Sequence, residues 1–254
     1  MNQQPAVDLH AHIDVSIAPT ELRQLGAVVF CATRSLDEAD AALARHDEQA
    51  VWGVGCHPGL VGAHKAFERG RFAELMQRTA FVSEVGLDSG SRVPMSTQQA
   101  TLATMLTELQ DSPRITSLHS YQATDLVLAA LEARPIKGTV LHWWLGDSSQ
   151  TVRAIDLGCF FSVNASSVRR TDLLDIIPLD RLLTETDHPF GDRRGGRDAR
   201  PGLVTTVEKQ LARHYAEAPD RIRGVIWDNL ARLTSSTGCM ALLPRAIRVQ
   251  LLAR

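Results

Sequence analysis

The chain has 254 residues, of which 44% are hydrophobic and 22% are charged, a balance typical of a globular protein that buries a sizeable core. Its formal net charge of -2 argues against the broad basic surface with which many proteins hold duplex nucleic acid. Any polyanion must therefore be bound at a local site.

The cysteines and the N-terminus indicate the cellular compartment. Cys31, Cys56, Cys159 and Cys239 are far apart and form no Cys-x-x-Cys pair, so neither a zinc ribbon nor a disulfide framework is predicted. The first residues are polar, without the positive region and apolar run of a signal peptide, and no apolar stretch approaches about 18 residues. We expect reduced thiols in a cytoplasmic protein with no membrane span.

Short apolar runs rich in β-branched residues alternate with segments of helical periodicity. The predicted strands are Ala6–His10, Ala27–Cys31, Ala50–Gly55, Ala80–Val85, Ile115–His119, Gly138–His142, Cys159–Val163 and Arg181–Thr184. Eight strands that alternate with helices are typical of a (β/α)8 TIM barrel, and the length suits one such domain. We therefore predict that residues 1–254 form a single α/β domain, a TIM barrel with a C-terminal helical extension.

Helix-start signals support several of the predicted helices. Ser35 is a good N-cap for Leu36–Arg45, and Ser96 with Gln99 forms a capping-box pattern at the start of Ser96–Leu109. A segment rich in Gly and Arg, Gly191–Pro201, is predicted to be a loop. The remaining predicted helices are Thr124–Ala133, Gln150–Leu157, Leu203–Ala216, Ile222–Leu233 and Met240–Arg254.

A His-x-His motif at the end of the first strand is the first indication of chemistry. His10 and His12 in an extended segment point to the same side, because strand side chains alternate with period 2. They can therefore bind one metal ion. In a chain with nine histidines, a chance pair explains this motif alone equally well.

Further polar residues lie at the carboxyl ends of other predicted strands, namely Glu84, His119, His142 and Asp187. In a TIM barrel these ends open on one face, where the active site lies, so the side chains are expected to converge. Four histidines and two carboxylates suit divalent cations, and six ligands exceed the number that one structural zinc uses. A two-metal centre fits better, with Glu84 bridging. One ion takes His10, His12 and Asp187, and the other takes His119 and His142.

Six motifs resemble those of the TatD-like family of metal-dependent nucleases, part of the wider metal-dependent hydrolase barrels. They are Asp8-Leu9-His10-Ala11-His12, Gly55-Cys56-His57-Pro58, Ser83-Glu84-Val85-Gly86-Leu87-Asp88, Leu118-His119-Ser120, Leu141-His142 and Thr184-Glu185-Thr186-Asp187-His188-Pro189. A later segment, Asp228–Leu233, resembles the family's terminal Asn-x-x-Arg-Leu motif. The resemblance covers nearly the whole chain in order.

This resemblance implies specific roles. The metal ligands are expected to be His10, His12, Glu84, His119, His142 and Asp187. The expected reaction is hydrolysis of DNA phosphodiesters, often from a 3′ end of single strands, with two divalent ions (Mg, Mn or Zn). Glu84 and Asp187 are the expected catalytic residues, and Asp187 orients or deprotonates the attacking water. Many related amidohydrolases use a carboxylated lysine where this chain has Glu84, which makes amide or lactone hydrolysis less favoured.

Other residues near these motifs are candidates for substrate binding, each with a structural alternative. His57 contacts a phosphate or makes a structural hydrogen bond. Tyr121, where the family commonly has arginine, and Trp143 stack on an unpaired base or pack against the protein. His188 lines or narrows the pocket. The loop arginines Arg193, Arg194, Arg197 and Arg200 overhang the pocket and bind phosphate, or form an ordinary charged surface.

Asp8, Asp14, Asp88 and Glu185 are expected to support the site rather than to bind metal. Asp8 supports the end of the first strand, and Asp14 caps the following turn. Asp88 and Glu185 hold histidines or loop backbone.

The leading hypothesis is a metal-dependent deoxyribonuclease that trims single-stranded DNA ends. A hydrolase of small phosphoesters, amides or lactones is the alternative. A third hypothesis is a TatD-like subunit of a bacterial anti-phage defence complex, such as the Qat type, with protein partners. The oligomeric state is left open.

Overall fold

Eight strands form the centre of the described part of the chain. The computed structural model describes residues 4–192 and 198–253. The strands are β1 (Ala6–Ala11), β2 (Ala27–Cys31), β3 (Ala50–Trp52), β4 (Phe81–Gly86), β5 (Ile115–His119), β6 (Thr139–His142), β7 (Phe160–Val163) and β8 (Leu182–Thr184). Each predicted strand is confirmed, and β2 and β5 have the predicted bounds.

The strands are parallel and close into a barrel. Two parallel sheets, β1-β2-β3 and β4-β5-β6-β7-β8, follow the chain order. Val54, just after β3, bridges to Val82 in β4. At the other seam, the hydroxyl of Thr184 donates to the carbonyl of Val7 (2.6 Å). The predicted (β/α)8 barrel is therefore confirmed.

Helices connect the strands and cover the barrel. Those between the strands are α1 (Pro19–Gln24), α2 (Leu36–Leu43), α3 (Val61–Lys65), α4 (Arg69–Met76), α5 (Met95–Asp111), α6 (Thr124–Ala133), α7 (Ser148–Asp156) and α8 (Thr171–Leu174). After β8 come α9 (Thr205–His214), α10 (Pro219–Thr237) and α11 (Arg245–Leu252). One continuous apolar core joins strand side chains such as Phe81 and Phe161 to helix side chains such as Leu106 and Leu230.

The predicted caps have mixed outcomes. The side chain of Ser35 accepts a hydrogen bond from the Glu38 amide at the start of α2 (3.2 Å), as expected. The predicted Ser96 cap is wrong, because α5 already begins at Met95 and Ser96 lies within its first turn. A full capping box stands instead at α7, between Asp147 and Gln150.

The C-terminal helices close the barrel behind the strands. The side-chain amide of Asn229, on α10, donates to the carbonyls of Leu179 (2.9 Å) and Leu182 (2.7 Å). The predicted helix Met240–Arg254 is split into a 3-10 turn, Cys239–Leu242, and α11, because Pro244 between them cannot continue a helix. Within residues 4–192 and 198–253, no helix has the length and apolar character needed to cross a membrane.

Candidate metal centre

The candidate ligands meet at the carboxyl ends of the strands. His10 is in β1, Glu84 in β4, His119 ends β5 and His142 ends β6. His12 directly follows β1, and Asp187 lies three residues after β8. Backbone pairing joins the two ends, since the Asp187 amide donates to the His10 carbonyl (2.8 Å). The structure therefore brings together all six residues predicted as metal ligands.

Two β-bulges aim the central side chains. The pairing of β1 with β2 and that of β4 with β5 each contain a register shift. His10 lies in the first bulge and Glu84 in the second. Bulges redirect side chains and are frequent beside active sites. Glu84 also has a positive φ of 52°, a conformation that is uncommon outside glycine and is typical of functional positions.

Glu84 stands at the centre of the cluster. Its Oε1 lies 2.8 Å from Nε2 of His10 and 3.0 Å from Nε2 of His12. Its Oε2 lies 3.5 Å from Nε2 of His57 and 4.0 Å from Nδ1 of His119. The two oxygens of one buried carboxylate therefore face different histidine groups.

Three overlapping groups of side chains offer ligand atoms within 4.8 Å of one another. They are His10 with His12 and Asp187, His10 with Glu84 and His142, and His57 with Glu84 and His119. The first group is the one predicted for one ion. In the second half of the site, His119 is grouped with His57, which the sequence had suggested only as a substrate contact. The motif around His57 indicated a functional role for this residue, but it did not indicate that His57 lies beside Glu84 and His119.

Several buried polar atoms of the cluster lack hydrogen-bond partners among the described residues. They are Oε2 of Glu84, Nε2 of His119, and both ring nitrogens of His142. Leaving such an atom buried and unpaired costs about 1–3 kcal/mol. Imidazole and carboxylate together suit divalent cations. The donor set therefore fits metal ions, which would satisfy these atoms.

Burial favours the neutral, ligating form of three histidines of the cluster, whereas the pKa of His12 is raised because Glu84 and Asp187 outweigh the effect of its burial. Burial lowers the pKa of His10, His57 and His142, which keeps these rings neutral, as a metal ligand must be. Burial opposes ionisation of Glu84, but the surrounding histidines outweigh it and hold its pKa well below the usual value. The pKa of Asp187 is raised well above its usual value, chiefly by burial. A nearby cation would reverse that shift.

Hydrogen bonds orient the first two histidines. Nδ1 of His10 lies 2.7 Å from the hydroxyl of Ser117 in β5. Nδ1 of His12 lies 3.2 Å from the carbonyl of Ala32. Such partners fix the ring orientation and the tautomer of a ligating histidine. In both residues, Nε2 then faces Glu84.

Asp8 supports the strand end, as the sequence suggested. Its buried carboxylate accepts hydrogen bonds from the Thr186 amide (2.8 Å), the Thr186 hydroxyl (2.7 Å) and the Gly202 amide (2.7 Å). Burial raises its pKa to about 6, although these hydrogen bonds partly oppose the rise. Asp8 thereby ties β1 to the segment that carries Asp187.

The other expected supporting residues are confirmed in that role. Glu185 accepts a hydrogen bond from the Trp143 amide (2.9 Å). Asp88 accepts one from a loop amide, that of Gly90 (2.8 Å), and its Oδ2 lies 3.7 Å from Nε2 of His119. Asp14 is exposed and caps its turn by accepting from the amide and hydroxyl of Ser16.

A cavity of about 230 Å³ opens above the cluster. Its large apolar and aromatic lining side chains, which we call the apolar mouth, are Tyr121, Trp143, Leu145 and Phe190. Tyr121 is 45% exposed, so it is not packed into the protein. Leu145 and Phe190 were missed from the sequence. The sequence feature that could have indicated a role for Phe190 is its position directly after the Thr184–Pro189 motif.

The adjacent tryptophans divide between core and cavity, as their adjacency required. Trp144 is buried and its indole N–H donates to the hydroxyl of Thr151 (2.9 Å). Trp143 has a positive φ of 41° and lines the cavity. Its backbone is held by the hydrogen bond to Glu185.

The remaining residues predicted to contact the substrate are not found in the described lining of the cavity. Nδ1 of His188 lies 2.6 Å from Oδ2 of Asp192, and His188 is not among the described residues that line the cavity. Its predicted role in lining or narrowing the pocket stays a prediction. Arg193, Arg194 and Arg197 lie outside the described residues. Arg200 is exposed and does not belong to the described cavity lining.

A TIM barrel with this histidine and carboxylate cluster at its strand ends has the architecture of the metal-dependent hydrolase barrels. Residues 7–235 match the family model described as TatD related DNase. The chain therefore belongs to the TatD related DNase family, which its motifs resemble.

Individual relatives agree with this membership. The metal-dependent hydrolase YcfH of Escherichia coli K12 is 32% identical over 127 residues, which span about half of each chain, 46% of this one and 47% of YcfH. The 3′-5′ ssDNA/RNA exonuclease TatD of Cronobacter sakazakii is 26% identical over 87% of this chain and 90% of its own. The crystal structure of YjjV, a TatD homologue from Escherichia coli K12, shares the fold with a TM-score of 0.80 at 23% identity, over 90% of this chain and 97% of its own.

Proposed function

We propose that this protein is a divalent-metal-dependent nuclease that hydrolyses phosphodiester bonds at single-stranded DNA ends. The observation that carries the proposal is the position of Glu84, whose two oxygens face separate histidine groups as a carboxylate bridging two ions would. The Cronobacter relative is named a 3′-5′ ssDNA/RNA exonuclease, and this name supports single-stranded nucleic acid as the substrate class.

The proposed ligands are those of the sequence motifs. His10, His12 and Asp187 would hold one ion, and Glu84 would be a ligand available to both. His119 would hold the second, and the position of His57 near Oε2 of Glu84 adds it to that side, whereas His142, predicted for the second ion, is grouped with His10 and Glu84. Mg²⁺, Mn²⁺ and Zn²⁺ are all compatible with this mixture of imidazole and carboxylate.

The protein's own groups supply positioning and proton transfer. Divalent ions held there would supply polarisation of a phosphoryl oxygen, a lowered pKa of a water and stabilisation of the leaving oxygen. Asp187, which lines the cavity, would orient the attacking water and accept its proton. Ser117 and Asp8 keep His10 and Asp187 in register with each other.

The cavity suits the end of a strand. Its volume of about 230 Å³ is small. Sites that enclose a whole small ligand typically measure about 300–1,000 Å³. A cavity of this size admits one terminal unit of a longer molecule. This favours removal of nucleotides from an end over cleavage within a chain.

The direct test uses purified protein and end-labelled single-stranded DNA. With Mg²⁺ or Mn²⁺ the protein should release nucleotides, and Asp187→Asn should lower kcat by about 10²–10⁴-fold because the group that handles the proton is lost. Asp14→Asn is the matched control, since Asp14 only caps an exposed turn. A metal-loaded protein that cleaves no nucleic acid would contradict the proposal.

A hydrolase of small phosphoesters, amides or lactones is the second candidate. The apolar mouth, which could contact a small apolar substrate, favours it. A panel of chromogenic esters and lactones, assayed beside DNA with the same metals, separates the two functions. Turnover of a small substrate with no cleavage of DNA would favour the second.

Two finer expectations remain predictions. One is participation in an anti-phage defence complex, which co-purification with the products of neighbouring genes would test. The other is a cytoplasmic location.

A further inference from the structure

The apolar mouth is placed to recognise one part of a nucleotide. We infer that Tyr121, Trp143, Leu145 and Phe190 bind the terminal base of the strand by stacking, and that they select ends whose last base is unpaired without selecting its identity. This inference rests on the nuclease function proposed above and specifies its substrate.

The exposure of the mouth indicates a binding surface. Tyr121, Leu145 and Phe190 are 45%, 43% and 42% exposed, although large apolar side chains are ordinarily buried. All line one cavity together with Trp143. Clusters of exposed apolar side chains around a polar centre mark binding sites.

The mouth lies within one nucleotide of the candidate ions. The ring of Phe190 is 5.5 Å from that of His12, in an edge-to-face arrangement. The amide of Phe190 donates to the carbonyl of Asp187 (2.7 Å). A base that contacts Phe190 therefore belongs to the nucleotide whose phosphate lies at the metal centre.

The backbone at the mouth is already held in place. The Tyr121 carbonyl accepts from the Ser89 amide (3.0 Å), and a Cβ at Gly90 would lie 3.2 Å from the Tyr121 ring, so glycine leaves space there. The amide of Trp143 is bound to Glu185. Aromatic side chains have few rotatable bonds, so little entropy is lost when a base stacks on them.

The cavity has few groups that read base identity. Among the described residues that line it, there is no arginine, asparagine or glutamine, the residues that bind purine edges with two hydrogen bonds. Stacking accepts every base, since each has a π-face. A base inside a duplex has its faces covered by its neighbours, so it must leave the helix before it can enter.

The experiment compares strands that differ only at the terminal nucleotide. Ends carrying adenine, thymine or an abasic sugar are assayed with wild type, Phe190→Leu and Tyr121→Leu, together with a blunt duplex. Val152→Ala, an exposed apolar residue on α7, is the matched control. Wild type should cleave the adenine and thymine ends at similar rates, and the abasic end and the duplex about tenfold more slowly in kcat/KM.

The variants test whether the rings cause that difference. Both ring-removing variants should lose about tenfold on base-bearing ends and almost nothing on the abasic end. Equal cleavage of base-bearing and abasic ends by wild type, or equal losses on both ends in the variants, would overturn the inference.

A binding measurement separates this inference from the proposed nuclease function. A terminal 2-aminopurine should lose fluorescence on binding wild type and lose less of it with Phe190→Leu, in which Tyr121 and Trp143 remain. If no strand is cleaved with Mg²⁺ or Mn²⁺, the nuclease function fails, and retained quenching would still support stacking at the mouth. Absence of quenching would overturn the inference whether or not cleavage occurs.

Discussion

The histidines on the two sides of Glu84 are held in different ways. On one side, which we call the held side, His10 is bound to Ser117 (2.7 Å) and His12 to the carbonyl of Ala32 (3.2 Å). On the other, the open side, Nδ1 of His57 accepts a hydrogen bond from the Gly59 amide (2.9 Å), but Nε2 of His119 is buried without a hydrogen-bond partner in the described part of the chain.

This difference shows two ways in which a protein can orient a histidine that binds a metal ion. The rings of the held side have their orientation and tautomer fixed by protein groups, so they are preorganised for an ion. On the open side, the ring of His119 lacks such a partner at Nε2 and is positioned by burial and by packing near His57, with ring centres 5.4 Å apart. We therefore expect the ion on the held side to bind more tightly and the ion on the open side to exchange more readily.

The largest effect is expected for Glu84→Gln, which affects both sides at once. The amide keeps the shape of the side chain but removes the charge that both ions share. Because metal ions supply several kcal/mol of transition-state stabilisation, we expect kcat/KM to fall about 10³-fold or more. Nuclease assays and Mn²⁺ titration of wild type and variant measure this.

Glu132→Gln, on the exposed surface of α6, is the control for that substitution. A Glu84→Gln protein that keeps both ions and most of its activity would show that Glu84 is not the shared ligand. It would also remove the basis for dividing the site into two sides.

An intermediate effect is expected for Ser117→Ala, which removes the partner of His10 on the held side. Loss of such a supporting hydrogen bond typically lowers metal affinity or activity by about 10–100-fold. Calorimetric titration with Mn²⁺ should show a weaker first binding event and a nearly unchanged second one. Ser236→Ala, on α10, is the control. Weakening of the second event alone would reverse our assignment of the tighter ion.

Much of the barrel was predictable because local signals and the final structure agree. The strand Ile115–His119 and the helix Thr124–Ala133 have the predicted bounds, since each apolar run matches the period of its element. The ligands His10, Glu84 and Asp187 were predictable as a group because parallel strands in a barrel end on one face.

Other features depend on contacts that the sequence does not display. The bulges that aim His10 and Glu84 arise from pairing with the next strand, so alternation within one strand cannot reveal them. His57 lies on a loop, and its approach to Glu84 depends on how that loop folds over the barrel. Phe190 is exposed at the mouth because the chain turns at Asp187, which has a positive φ of 45°.

The smallest effect concerns the support beneath the held side. Burial raises the pKa of Asp8 from 3.8 to about 6, so between these values the folded protein binds more protons than the unfolded chain. The stabilising contribution of the protonated group is full below pH 3.8 and is lost as the pH rises through about 6. The shift corresponds to about 3 kcal/mol.

Asp8→Asn removes this titration, so the free energy of unfolding should decline less steeply between about pH 4 and 6 than in wild type. Urea unfolding in EDTA across this range measures the slopes without a contribution from metal binding. Asp180→Asn, a surface substitution, is the control. The slope is the informative quantity, because the asparagine amide also meets the amides of Thr186 and Gly202 and lowers stability at every pH. Parallel slopes for Asp8→Asn and wild type would show that Asp8 supports the held side without carrying a shifted proton.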